Sequence, residues 1–428
     1  AGCMAQSHGD AVSAVPGVDA ILSTQQWMRV AEVAEDKETR PRKAEAFALD
    51  LLQATKGGAN ASAQRTLNAT PRPADVIGLQ PATAKSALPT IELTATTPTA
   101  DFSILNSQFS IPEGYADWRT APILRQASGP SAYLKISDGC NLRCAFCTIP
   151  SFKGDMRSKA MGAILGEAQA LAAQGVREIV LVAQHLTDYG RDLRLKDGLA
   201  TLLEELCGVL PPNVWLRLMY AYPHGISERL IETMASHKQI CHYLDMPLQH
   251  AHPDTLRRMR RPPDTERTLA TLAALRQAMP DIALRSTFIV GFPGETNAEF
   301  RALLEFLQTV QLDRVGAFRF SQEPGTHAAT LPDQVRPKQI ERRWHELMQL
   351  QQGVSLARNR RWKGRTIDML VEGDGESDDG RKLVVGRSFR DAPEVDGQVF
   401  AWGQAPVGAI VPVRVTQPTE YDLWGTLN

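Results

Sequence analysis

The chain has 428 residues, 43% of them hydrophobic, which is ample for a core and long enough for two or three domains. Its formal charge of −1 excludes recruitment of nucleic acid by an overall basic field. Six cysteines in so long a chain are no disulfide framework, and three of them in a metal-like cluster point to a reducing, cytoplasmic setting; no apolar run is long enough to span a membrane, and no signal peptide is visible.

In chain order, residues 1–36 read as a helix around Asp10–Val15, a turn at Pro16-Gly17, a short strand Asp19–Leu22 and a helix from Thr24 to about Val33, with Ser23 or Thr24 as its N-cap. The opening Ala1-Gly2-Cys3-Met4 is not a methionine start and reads as the middle of something longer. Residues 37–128 differ in composition. A charged patch, Glu35–Arg40, leads into a possible helix at Ala44–Ala54 and then a Thr/Ala/Pro-rich tract through Asp101, a composition of linkers or disorder.

From Ala132 to about Gln322 apolar strands alternate with helices. The expected strands are Ala132–Ile136, Glu178–Gln184, Val214–Ala221, Tyr243–Gln249, Ala283–Phe292 and Arg314–Ser321. The helices between them are Ile164–Ala173, Leu199–Val209, Glu228–Ser236, Thr265–Ala278 and Glu299–Val310. This is the pattern of a parallel sheet covered by helices, with six βα units. Directly after the first strand, Cys140, Cys144 and Cys147 stand in C-x3-C-x2-C spacing on a polar loop. The C-terminal ends of such strands are where parallel α/β barrels place their chemistry. Three thiolates on one tight loop point to a metal. A closed structural zinc needs four ligands, and the loop offers no fourth Cys or His. An iron–sulfur cube held by three cysteines keeps one iron open for a substrate. Cys207 and Cys241 stand alone in apolar surroundings and read as core thiols.

Other candidates sit where strands end. Gln184 and Thr187 follow the second strand and can hydrogen-bond a polar ligand, although they are also ordinary strand-end residues. Arg217 is a cation inside an apolar strand and needs a partner, either a structural ion pair or a bound carboxylate. Asp245 and Gln249 lie in another inner strand. Gly291 and Gly294 permit close backbone approach to a ligand, and Glu295 either binds a ribose or starts the next helix. Beyond these, Pro337 to about Arg361 reads as one helix with Ile340, Trp344, Leu347 and Val354 on its core face. The final part, residues 365–428, alternates short β-type runs with turns: Thr366–Val371, Leu383–Gly386, Gln398–Trp402, Ala409–Thr416 and Tyr421–Leu427. It reads as a small five-stranded barrel. It carries six basic against eleven acidic residues, a formal balance of −5, where an RNA-binding barrel should be basic.

The cysteine spacing, its loop and its strand together resemble the radical S-adenosylmethionine (SAM) superfamily. There the open iron of a [4Fe–4S] cluster chelates the amino and carboxylate groups of SAM, and an electron from the cluster releases a deoxyadenosyl radical. Within that superfamily the chain resembles the methylthiotransferases, over residues 1–36 and about 129–428. The resemblance implies an α/β fold with an incomplete (β/α)6 radical SAM barrel at 129–336, a connecting helix at 337–364 and a TRAM-like five-stranded β-barrel at 365–428. It makes residues 1–36 a remnant of the N-terminal domain and 37–128 an insertion. In that domain the family holds a second cluster on three cysteines. Cys3 matches the last of these, and the positions of the first two would lie upstream of Ala1.

The resemblance also implies that the segments carrying Gln184, Thr187, Arg217, Gln249, Gly291 and Glu295 lie against SAM. Residues 243–250, 288–296 and 391–397, with Arg387-Ser388, match the branch of the family that acts on a ribosomal protein more closely than the branch that acts on tRNA. The expected reaction is then addition of a methylthio group to the β-carbon of an aspartate in small-subunit ribosomal protein twelve. The implied partners are that protein or the ribosome and an electron donor such as flavodoxin or ferredoxin, with no membrane and no tRNA. A tRNA modifier and a non-catalytic ribosome-binding iron–sulfur protein are the competing readings. One complete cysteine set plus Cys3 leads to the expectation of one cluster in the chain as written, with SAM cleavage retained and methylthio transfer lost.

Overall fold

The computed structural model describes residues 118–120, 126–377 and 380–427. Cys3, the expected helices and strand of residues 1–36 and the helix at Ala44–Ala54 lie outside the described residues. Six parallel strands form one sheet in the order β1 (Ser131–Lys135), β4 (Glu178–Val182), β5 (Trp215–Leu218), β6 (Ile240–Asp245), β7 (Ala283–Val290) and β8 (Arg314–Arg319). Helices α2 (Met161–Ala173), α3 (Gly198–Val209), α4 (Glu228–Ser236), α6 (Thr265–Ala278) and α7 (Asn297–Val310) connect them. The short α1 (Ile149–Lys153) and α5 (Pro253–Arg258) sit in loops. β1 and β8 are the two edges, so the sheet is an open barrel.

Alternation along the strands sorts the side chains into two faces. Leu134, Ile179, Leu181, Leu216, Leu218, Leu244 and Leu284 pack against the helices in the main core. Val180, Met219, Cys241, Tyr243 and Ala283 point to the other, inner face and meet Phe389 and Ala392 from the C-terminal part of the chain.

That part begins with α8 (Pro337–Arg360), whose partly buried Ile340 and Trp344 pack on the main core while Leu347 lies fully inside it. It leads into a closed barrel of β9 (Thr366–Glu376), β10 (Lys382–Ser388), β11 (Val399–Trp402), β12 (Ile410–Pro418) and β13 (Leu423–Leu427), in the order β10-β11-β13-β12-β9. Ile367, Met369, Val371, Val384, Val399, Ala401, Val413, Val415 and Leu423 fill its interior. The β10–β11 connection lies on the inner face of the large sheet.

Buried ion pairs join the two barrels. Glu178, at the start of β4, is fully buried; it pairs with Arg217 Nε (2.6 Å) and with Arg387 of β10, and accepts from Ser131 Oγ (2.7 Å). Arg217 also donates to the carbonyls of Phe389 (2.7 Å) and Ser388 (3.1 Å). A second cluster links Asp313 to Arg358 (2.9 Å) and Arg390 (3.2 Å), and Arg314 to Asp391 (2.7 Å). Burial pushes the Glu178 carboxyl up, but Arg217 and Arg387 pull it further the other way, to about 2. A folded-state value below the ordinary 4.5 means that this contribution is complete above that value and is lost as pH falls from about 4.5 to about 2. Stability is therefore expected to fall more steeply over this range in the native chain than in Glu178→Gln. Denaturant titrations at stepped pH check it, and parallel slopes would contradict it.

Candidate metal centre

The loop carrying the three cysteines is a stem-loop. Its base is the two-residue antiparallel pair β2 (Ser137–Asp138) and β3 (Arg157–Ser158), which follows β1 directly. The Cys140 N–H donates to the Gly154 carbonyl (3.1 Å), and the Met156 N–H donates to Asn141 Oδ1 (3.1 Å), so both flanks of the loop are zipped together. Arg143 pairs with Asp155 across it. Buried Asp138 takes Lys153 Nζ (2.7 Å) and Lys135 Nζ (2.9 Å), which anchors the end of α1 to the stem. The middle of the loop is held from outside: Ala145 N–H donates to the Met259 carbonyl (2.9 Å), and Ala328 N–H to the Ala145 carbonyl (2.7 Å).

Gly139 is required at the stem. Its φ is +81°, and a Cβ there would collide with the Asp155 carbonyl oxygen. Gly154, across the stem, has φ +72° but open space around it. Gly139→Ala is therefore expected to lose most of its iron on reconstitution, while Gly154→Ala carries only the backbone strain of its φ +72°, ψ −160° conformation, about 1–3 kcal/mol, and keeps it. Iron counts on the two variants decide this, and equal loading would contradict it.

Cys140 is buried, and Cys144 and Cys147 are half-buried. Burial, reinforced by the neighbouring cysteines, pushes the thiols of Cys140 and Cys147 above their ordinary value. Cys207 and Cys241 lie elsewhere, in apolar packing, with thiols that burial pushes up to about 11 and about 12. They are core thiols, as their surroundings in the sequence imply.

The other candidates divide. Gln184 reaches the centre: its Oε1 accepts the Gly139 N–H (2.9 Å), so it positions the cysteine loop. Thr187 is engaged with the end of β5, its Oγ1 accepting from Tyr222 N–H (3.2 Å) and facing the Tyr222 carbonyl (3.4 Å). Arg217 stands in the structural ion pair that is one of its two readings. It is fully buried in the Glu178 pair described above and faces the second barrel, with Glu178, its carboxylate partner among the described residues, at the base of β4. Glu295 stands at the start of the α7 segment. Its side chain is fully buried, and its Oε2 accepts the Gly291 N–H and pairs with Arg343 of α8 (3.3 Å). Gly291, at φ +78°, makes room for Ile340 of α8, with which a Cβ would collide. Gln249 leaves the β6 ladder at φ +71°, and its backbone bonds Thr287 and Ile289 of β7 (2.8 Å each). Buried Asp245 is taken by Arg285 (2.7 Å) and the Tyr220 N–H (3.3 Å).

Sequence reading missed Arg261. Its guanidinium lies 3.7 Å from Cys144 Sγ, donates to the Pro247 carbonyl (2.7 Å) and stacks over the Tyr222 ring at 4.6 Å. The doublet Arg260-Arg261 before Pro262-Pro263 gave no periodic signal, because it follows a six-residue helix. His185 is also close to this group, edge-on to Tyr222 at 5.1 Å.

Comparison with known proteins adds the following. Residues 134–307 match the radical SAM superfamily, and residues 364–427 match the TRAM domain. The ribosomal protein uS12 methylthiotransferase RimO of Roseiflexus castenholzii is 65% identical over 425 residues, covering 99% of this chain and 80% of the relative. The protein of the same name from Chloroflexus aurantiacus is 65% identical over 425 residues, covering 99% and 83%. That of Syntrophotalea carbinolica is 46% identical over 306 residues, covering 71% and 67%.

Proposed function

Because the chain belongs to the family of the ribosomal protein uS12 methylthiotransferases, which are radical SAM enzymes, we propose that it adds a methylthio group to the β-carbon of an aspartate of that ribosomal protein. The observation that carries this reading is the stem-loop that gathers Cys140, Cys144 and Cys147 at the C-terminal end of β1 beside a buried guanidinium. These residues fit the [4Fe–4S] cluster that the family implies. Three thiols come from one braced loop, and an uncompensated cation stands in contact with one of them. The three cysteines would hold the cluster, and bound with SAM it would supply a radical able to take hydrogen from an unactivated carbon, which acid–base side chains cannot do. The chain's own residues fix the loop through Gln184, the β2–β3 stem and Asp138. The edges β1 and β8 do not pair with each other, and an unclosed barrel suits a large substrate. Cys3 is proposed as a ligand of the family's second cluster.

The second barrel supports a protein substrate. Of its six basic residues, Arg387 and Arg390 are buried against the large sheet, which leaves Arg365, Arg381, Lys382 and Arg414 exposed among the described residues. Four acidic residues, Asp368, Asp374, Glu376 and Glu394, are exposed beside them, so the exposed charge among the described residues is balanced and offers no basic field for phosphates. Pull-downs with purified uS12 and with tRNA at matched salt are expected to retain uS12. Tight tRNA binding with a steep salt slope, and none to uS12, would reverse the choice. No helix among the described residues is long and apolar enough to cross a membrane.

A further inference from the structure

We propose that Arg261 is the counter-ion of the cluster held by Cys140, Cys144 and Cys147, and that its contact with Cys144 sets how readily this cluster accepts an electron. The proposal rests on the cluster reading above.

Arg261 is only 8% exposed. The other buried arginines each face a carboxylate: Arg217 faces Glu178, Arg314 faces Asp391, Arg343 faces Glu295, Arg358 and Arg390 face Asp313, and Arg387 faces Glu178. Among the described residues no carboxylate pairs with Arg261. Its polar contacts are the Pro247 carbonyl and Cys144 Sγ. A buried charge without an opposite charge is costly enough that folds avoid it. The missing anion is therefore the group that Cys144 helps to hold. The guanidinium is also fixed in place: its backbone N–H donates to the Leu256 carbonyl (2.8 Å), one arm is tied to Pro247, and its face lies on Tyr222.

Arginine keeps its proton at any working pH, so this is a permanent positive charge at a cluster thiolate. Reduction adds one electron, and hence one negative charge, to the cluster. That electron comes from a low-potential one-electron donor protein, or from dithionite in vitro; no bond forms or breaks, and Arg261 takes up no proton. A fixed cation in hydrogen-bond contact stabilises the more negative state. Net charge and hydrogen bonds to the sulfurs are among the terms that set iron–sulfur potentials.

The test is a redox titration of the reconstituted full chain without SAM, followed by electron paramagnetic resonance, after iron and sulfide have been counted. A native chain that binds no cluster would sink the cluster reading and would show that failure separately. In Arg261→Gln with its irons bound, the ratio of reduced to oxidised cluster at fixed potential is expected to fall about tenfold, a midpoint about 59 mV lower for one electron. Arg261→Lys, which keeps the charge but not the fork, is expected to shift less in the same direction. An unchanged midpoint in iron-loaded Arg261→Gln overturns the proposal. So does weakened SAM binding with an unchanged SAM-free midpoint, which would reassign Arg261 to the SAM carboxylate. If Arg261→Gln holds no iron, Arg261→Lys decides: a lowered midpoint supports the proposal and an unchanged one overturns it.

Discussion

Replacing Cys144 with alanine is expected to abolish the brown absorbance of the [4Fe–4S] cluster and, with it, SAM cleavage. The loop supplies three thiols, and a cube with an open iron uses all of them. Among the described residues no other cysteine lies at this loop. Cys241 is buried on the inner face of the sheet and Cys207 packs on the main core, both with thiols pushed far above the thiolate range. The loop itself should survive, because its bracing comes from the β2–β3 pair, Asp138 and Gln184 rather than from the sulfur. Iron and sulfide are counted after anaerobic reconstitution, and deoxyadenosine is assayed with dithionite. The native chain is expected to hold about four irons on this loop by cluster type. Full iron loading and undiminished deoxyadenosine release in the variant would remove the assignment.

The second large effect is on the union of the two barrels. Glu178→Ala is expected to cost about 3–5 kcal/mol, because it leaves two buried guanidiniums, Arg217 and Arg387, without their shared anion. Arg387 keeps half-buried Glu372 (2.6 Å), whereas Arg217 keeps only carbonyl oxygens and the face of Tyr243. The loss should appear first as release of the β10–β11 connection from the inner face, exposing Phe389 and Ala392. Hydrogen exchange should then rise in residues 386–398 before it rises in the large sheet. Glu178→Gln keeps acceptor atoms and should cost less. A change below about 1 kcal/mol in Glu178→Ala, of the size of a surface pair, would show that the pair does not join the barrels.

Much of this architecture is legible in the sequence. The six strands, the helices between them, α8 and the five-stranded barrel fall where apolar periodicity places them. The cysteine loop stands where strand context puts it. The deviations have local causes. Gln184 and Gln249 fall outside the strands expected to contain them, because the ladder ends at Val182 and at Asp245. β9 runs on to Glu376 although Glu372-Gly-Asp-Gly-Glu376 has the composition of a turn, since its backbone pairs with Lys382–Val385.

The site is harder to read, because its partners are distant in sequence. Arg217 reads as a cation in search of an anion, but Ser388 and Phe389, whose carbonyls it also bonds, lie 171 and 172 residues away. Gly291 reads as a ligand-approach glycine, and nothing local announces that Ile340 lies against it. Glu295 reads as a ribose contact or a helix start, and its pairing with Arg343 has no local signal. Arg261 meets Cys144 across 117 residues, a contact that no local pattern announces.

The central claim is that the chain directs radical chemistry at the aspartate of uS12. Its most direct test is isotope transfer. The reconstituted chain is incubated with SAM, a reductant and uS12 deuterated at the aspartate β-carbon, and the deoxyadenosine formed is weighed by mass spectrometry. The account predicts deuterium in the deoxyadenosine, and none when uS12 is replaced by tRNA. Deoxyadenosine formed in the presence of uS12 but free of deuterium would contradict it.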